Sequence, residues 1–249
     1  MPRFDFKNSS DQTLTGNLEL PSGETSAFAI FAHCFTCSKN AKAATRISRE
    51  LAERGIAVLR FDFTGLGNSE GDFANTNFSS NVADLLAAAD ALAAEHQAPS
   101  LLVGHSLGGA AAYMVAGKIP TIRAVATIGS PSEPAHVTHL FGDSIAEIQQ
   151  DGAAEVSIGG RKLTIESHFL EDLKQHKAEE DLRRLKKPLM IFHSPVDSIV
   201  SIENARKLYN AAMHPKSFVS LDGADHLLTN PEDADFVASV LAAWAGRYL

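Results

Sequence analysis

Cysteine is scarce, with only Cys34 and Cys37 in 249 residues, and this excludes the disulfide framework on which small secreted domains depend. The stretch from Met1 to Lys7 also lacks the apolar core of an export signal. Both cysteines are therefore expected as reduced thiols in a cytoplasmic protein. Long apolar runs are missing too, because the one from Val82 to Ala94 is broken by Asp84 and Asp90. No membrane insertion is expected. Nor is there a basic stripe: 30 acidic and 22 basic residues are mixed along the chain for a formal charge of −8, which excludes the electrostatic footprint of a nucleic-acid binder. A small, mostly uncharged substrate fits that balance. Repeats and linkers are absent, so the expectation is one domain over residues 1–249.

What the chain does contain is alternation. Phe4, Phe6, Leu14, Leu18 and Leu20 alternate with polar residues around Asn8 to Asp11, the pattern of an antiparallel hairpin at a sheet margin. Ala27 to Ala32 is a continuous apolar run and reads as a central strand buried on both faces. Ala43, Ala44, Ile47 and Leu51 then recur at helical spacing, with Gly55 placed to end the helix. A strand is expected from Ile56 to Phe61, then a helix with Val82, Leu85, Leu86, Ala89 and Leu92 on one face, capped by Ser79 or Ser80. Later strands are expected at 101–105, 122–128, 188–193 and 217–221, and Asn230-Pro231 opens the last helix. Strands alternating with helices imply a parallel sheet with helices on both faces. Between about 132 and 186 the alternation fails, and charged helical pieces surround a hairpin at Gly159-Gly160. Too long for a loop, this segment is expected to form a cap over the site.

Gly104-His105-Ser106-Leu107-Gly108, between the strand at 101–105 and the small residues that follow, has the form of a nucleophile elbow. Such a turn strains the backbone at the serine, lifts its hydroxyl out of the sheet, and leaves the first helical N–H groups, beginning at Leu107, free to face an anion. A serine hydroxyl needs a base, and the base needs an acid to orient it. Both should lie on loops at the C-terminal ends of strands. Two loops remain there, and they supply Asp197 and His226, with the chain order serine, acid, histidine. Among the rivals, His105 should point away from the serine, and His193 is explained by packing or loop bonding at a strand end. Asp222 and Asp225 are explained by the shape of their own loop. His136 and His139 are spaced like ligands but have no third partner, so no metal is expected.

The second oxyanion donor should come from the loop at 33–38, opposite the elbow, as the amide of Phe35. Cys34 and Cys37 flank it at the spacing of a thiol redox pair, yet both also read as small fillers of a tight turn. The glycine-rich loop at 62–71 matches no phosphate-binding fingerprint and reads as structural.

On these residues the chain resembles the α/β-hydrolase superfamily over essentially its whole length. The resemblance rests on Gly-His-Ser-Leu-Gly-Gly at 104–109, His193-Ser-Pro-Val-Asp197 and Gly223-Ala-Asp-His226. More narrowly, Ala32-His-Cys-Phe-Thr-Cys-Ser38 and Arg60-Phe-Asp-Phe-Thr-Gly-Leu-Gly67 resemble bacterial hydrolases often fused to an OsmC-like peroxide-reductase domain, which these residues do not include. Related esterases usually carry His-Gly-Phe-Thr-Gly-Ser in this loop, so Cys34 and Cys37 stand where two glycines are usual. The resemblance implies a mostly parallel eight-stranded sheet flanked by helices, and cofactor-free hydrolysis of small to medium acyl esters through an acyl-enzyme on Ser106. Thioesterase, amidase and perhydrolase chemistry would use the same residues. A non-catalytic or thiol-redox partner of an OsmC-like peroxide reductase is the reading from another class. Monomer and homodimer are both left open.

Overall fold

The structure, a computed structural model, describes residues 2–158 and 160–249. Among these residues ten strands and eight α-helices follow one another, and outside the segment at about 132–186 their order is the one that the apolar patterning predicts. The hairpin β1 (Arg3–Lys7) and β2 (Thr13–Glu19) leads into β3 (Ala27–Ala32), α1 (Lys42–Glu53), β4 (Ile56–Phe61), α2 (Phe78–Glu95), β5 (Leu101–His105), α3 (Leu107–Val115) and β6 (Ala124–Ile128). A 3-10 helix (Pro134–Phe141) opens the inserted segment. It continues through α4 (Ser144–Asp151), the hairpin β7 (Ala153–Ile158) and β8 (Arg161–Glu166), α5 (Ser167–Gln175) and α6 (Ala178–Leu185). β9 (Leu189–His193), α7 (Glu203–Ala211), β10 (Lys216–Ser220) and α8 (Pro231–Ala245) complete the chain. The hairpin expected around Gly-Gly is formed by β7 and β8, while Gly159 itself lies outside the described residues.

Eight strands form one sheet in the order β1-β2-β4-β3-β5-β6-β9-β10, parallel from β4 to β10 and antiparallel at the β1–β2 margin. Strand periodicity divides the core in two. Phe31, Val58, Val103, Ala126 and Phe192 face one side and pack on Ile47 and Leu51 of α1 and on Val237 and Leu241 of α8. The alternate residues Ile30, Leu59, Leu102, Val125 and Ile191 face the other side, against α2, α3 and α7. Apolar side chains of the inserted segment, among them Phe141, Phe169, Leu173 and Leu182, join this second cluster. Burying each such side chain contributes roughly 1.5–3 kcal/mol.

Local signals explain most element ends. Gly55 follows α1 with φ +87°, and Asn230 accepts the Glu232 N–H at 3.2 Å as α8 begins on Pro231. One cap differs from the expectation. Asn77, not a serine, caps α2: its side chain accepts the Ser80 amide at 2.8 Å and the Ser80 hydroxyl reaches back to the Asn77 amide. Ser79 is thereby released to bond Asp172 of α5 through its amide at 2.9 Å and its hydroxyl at 2.5 Å, tying the insertion to the core.

Candidate active site

β5 ends and α3 begins with one residue between them, Ser106, at φ +55° and ψ −127°. A non-glycine residue holds such a conformation only where its surroundings enforce it. Here the Ser106 N–H donates to the Ile128 carbonyl at 2.8 Å, and the Ser106 carbonyl accepts from Gly109 at 2.9 Å. The flanking glycines make the turn possible. A Cβ on Gly104 would run into the backbone of Gly108 and Gly109, and one on Gly108 into the carbonyls of Ala32 and His33.

The loops after β9 and β10 deliver the other two predicted residues to this serine. His226 Nε2 lies 3.0 Å from Ser106 Oγ, and His226 Nδ1 lies 2.7 Å from Asp197 Oδ2. The remaining carboxylate oxygen of Asp197 accepts the amides of Ile199 at 2.9 Å and Val200 at 2.8 Å, which fixes the acid in its own loop. Burial would push the Asp197 carboxyl up. Its bonds to His226, Val200 and Ile199 outweigh that and hold it below the usual carboxylate range. An ionised Asp197 selects the His226 tautomer with hydrogen on Nδ1 and leaves Nε2 to accept the serine proton.

Phe35 and Leu107 come together with Ser106 and His226 on the wall of one cavity of about 450 Å³. Leu107 is the first residue of α3, so its N–H has no acceptor within the helix. Much of the rest of the wall is apolar, with Val137, Leu140 and Ile158 from the insertion and Ile199 and Leu227 from the two loops. His136 and His139, with rings 4.4 Å apart, also line it, and no cluster of three metal-ligating side chains occurs among the described residues.

The reduced state expected of the cysteines is corrected: Cys34 and Cys37 are joined as a disulfide. A turn closed by the Cys37 N–H on the Cys34 carbonyl at 3.1 Å brings their Cα atoms to 5.3 Å, within the normal span of a disulfide. The four-residue turn holds Thr36 at φ +65°. The Phe35 ring sits among Phe73 (5.6 Å), Phe169 (5.6 Å) and Phe141 (6.3 Å), the last two belonging to the insertion.

A family model described as serine aminopeptidase S33, Hydrolase_4, matches residues 27–174, more than half of the chain. The chain belongs to this family of α/β-hydrolases. A crystal structure of the esterase domain of a Rhodothermus marinus protein is 51% identical, with a TM-score of 0.82 over 99% of this chain and 98% of that one. Est1E of Butyrivibrio proteoclasticus with bound ferulic acid is 21% identical with a TM-score of 0.85, covering 100% and 99% of the two chains, and shows the shared fold. Rat mitochondrial palmitoyl-protein thioesterase ABHD10 is 26% identical over 82% of this chain and 70% of its own length. The protein is thus an α/β-hydrolase with esterase relatives.

Within this hydrolase the rival residues have structural partners. His105 has a backbone partner: its Nε2 lies 2.7 Å from the His226 carbonyl. Burial and the neighbouring His226 push His105 down to about 4, so the ring is neutral and donates to that carbonyl. His193 Nε2 bonds the Val200 carbonyl at 2.7 Å, and burial lowers its pKa as well. Asp225 accepts the Thr229 amide at 3.0 Å and Asp222 accepts the Ser220 hydroxyl at 2.5 Å, both within the loop region around β10.

A buried ion pair escaped the sequence reading. Lys39 Nζ and the Asp62 carboxylate pair with almost no exposure. Asp62 also accepts the amides of Lys39 at 2.7 Å and Asn68 at 3.0 Å. The loop at 62–71, expected to be structural, thereby anchors the far end of the loop that contains Phe35. Asp62 directly after β4 was the available signal, since a carboxylate there faces the same sheet edge as the loop after β3.

Proposed function

We propose that the protein is a serine carboxylesterase acting on esters of small to medium acyl groups. The observation that carries this reading is the relay from Ser106 Oγ to His226 Nε2 at 3.0 Å and from His226 Nδ1 to Asp197 at 2.7 Å, opening on an apolar cavity. In this reading His226 takes the hydroxyl proton as Ser106 Oγ attacks the ester carbonyl. The amides of Phe35 and Leu107 receive the oxyanion, each worth about 3 kcal/mol in the transition state. Protonation by His226 lets the alcohol leave. Water then attacks the acyl-serine by the same route, and the reaction uses only protein groups and water.

Hydrolysis of p-nitrophenyl acetate, butyrate and octanoate by wild type and Ser106→Ala tests the proposal. Turnover is expected to fall by roughly 10³-fold or more in the variant. Comparable turnover by both proteins would overturn the serine mechanism. A thioester substrate is the second reading, favoured by the likeness to the rat thioesterase, and the same relay would serve it. Matched oxygen and sulfur esters of one acyl chain decide between the two by their kcat/KM.

A further inference from the structure

We infer that the Cys34–Cys37 disulfide positions the Phe35 amide for catalysis, so that hydrolysis depends on the oxidised pair. The inference rests on the proposed role of that amide. Two anchors already hold parts of the loop: the Phe35 ring lies among Phe73, Phe141 and Phe169, and Lys39 is paired with Asp62. Neither anchor sets the direction of the Phe35 N–H. That direction is fixed by rotation of the Cys34–Phe35 peptide plane, which lies inside the four-residue ring closed by the disulfide.

The conformation enclosed there is a costly one. Thr36 is β-branched and sits at φ +65°, in the left-handed region that such residues avoid. Without the covalent closure, Thr36 relaxes toward negative φ, the Phe35–Thr36 peptide turns, and the adjoining Cys34–Phe35 peptide inside the same ring shifts with it. The amide then leaves the place where the oxyanion forms. Cys37 is half-buried and, like Ser106, lines the cavity, so a small thiol can reach it.

Reduction is a two-electron exchange with a dithiol. One reductant thiolate attacks Cys37 Sγ, the S–S bond breaks, and its electron pair goes to Cys34 Sγ, which takes up a proton. The second thiol of the reductant then displaces Cys37 as a thiol and closes a cyclic disulfide.

The test measures p-nitrophenyl butyrate kinetics on the full chain before and after dithiothreitol, with thiols counted by Ellman's reagent. Affinity for an alkyl trifluoromethyl ketone, which forms a tetrahedral adduct with a serine, is measured on the same samples. The expected result is two titratable thiols, kcat lower by roughly 10- to 100-fold, KM within about twofold, and ketone affinity lowered in parallel with kcat. Reoxidation restores all three. The double variant Cys34→Ala/Cys37→Ala is expected to match the reduced protein and to be indifferent to dithiothreitol. This variant decides the matter if the wild-type disulfide resists reduction, and the dithiothreitol arm decides it if the variant does not fold. Unchanged kcat in the reduced protein or in the variant overturns the inference, as does a loss carried entirely by KM. Failure of the serine reading shows separately, as turnover surviving in Ser106→Ala.

Discussion

At the residue scale, the site depends on keeping some groups charged and others neutral. Asp197 must be ionised to orient His226, and Asp197→Asn presents an amide that can donate to the imidazole and favours the other tautomer. The expected loss in kcat is about 10⁴-fold with little change in fold, read from ester kinetics and circular dichroism. His105 poses the opposite requirement. Its folded value of about 4 lies below the ordinary 6.5, so between these values the unfolded chain binds more protons than the native one. The stability it contributes is complete above pH 6.5 and is lost as pH falls toward 4, on the order of 3 kcal/mol. Burial shifts His33 and His193 in the same direction. Urea midpoints should therefore hold from pH 7.5 to 6.5 and then fall steadily to pH 4.5, and His105→Gln should flatten part of that slope. A flat wild-type profile would contradict the neutral, buried histidines.

The elements differ in how openly the sequence announces them. The elbow is readable because steric exclusion at Gly104 and Gly108 leaves few residue choices, and such constraints are local. Asp197 and His226 are readable because a parallel sheet gathers its strand-end loops at one edge. The state of Cys34 and Cys37 was not, since their spacing suits small fillers of a tight turn as well as a redox pair, and reduced thiols are what the sequence leads one to expect. Only the backbone of the turn decides among these. Likewise the serines at 79 and 80 compete with Asn77 as caps, and the choice depends on Asp172, 93 residues away from Ser79, taking up the one left over. Long-range pairing also hides Lys39–Asp62. Removing the carboxylate in Asp62→Ala leaves a buried ammonium and two amides without their acceptor, and the expected cost is about 3–5 kcal/mol in urea unfolding. Lys39→Met should cost less, because the acceptor for both amides remains.

For the whole molecule, a formal charge of −8 is compatible with neutral esters, and the cavity of about 450 Å³ sets the size of what enters. Butyrate should be turned over with a higher kcat/KM than octanoate, and the reverse order would contradict the preference for short acyl groups. Composition alone could not have placed those walls. Val137, Leu140 and Ile158 come from the insertion, whose short helices lack the long periodicity that identifies α2.

The insertion shares one apolar cluster with α2 and α3: Phe141, Phe169, Leu173 and Leu182 are buried together with Phe78, Leu85 and Tyr113. Swinging it away as a rigid flap would hydrate that shared interior. The segment and the sheet face beneath it should accordingly melt as a single cooperative unit. In native-state deuterium exchange, the slowest amides of α5 and α6 should open with the same free energy as those of α2 and α3. Ligand traffic would then pass through side-chain fluctuations at the cavity mouth, and turnover would be insensitive to added glycerol viscosity until diffusion itself becomes limiting.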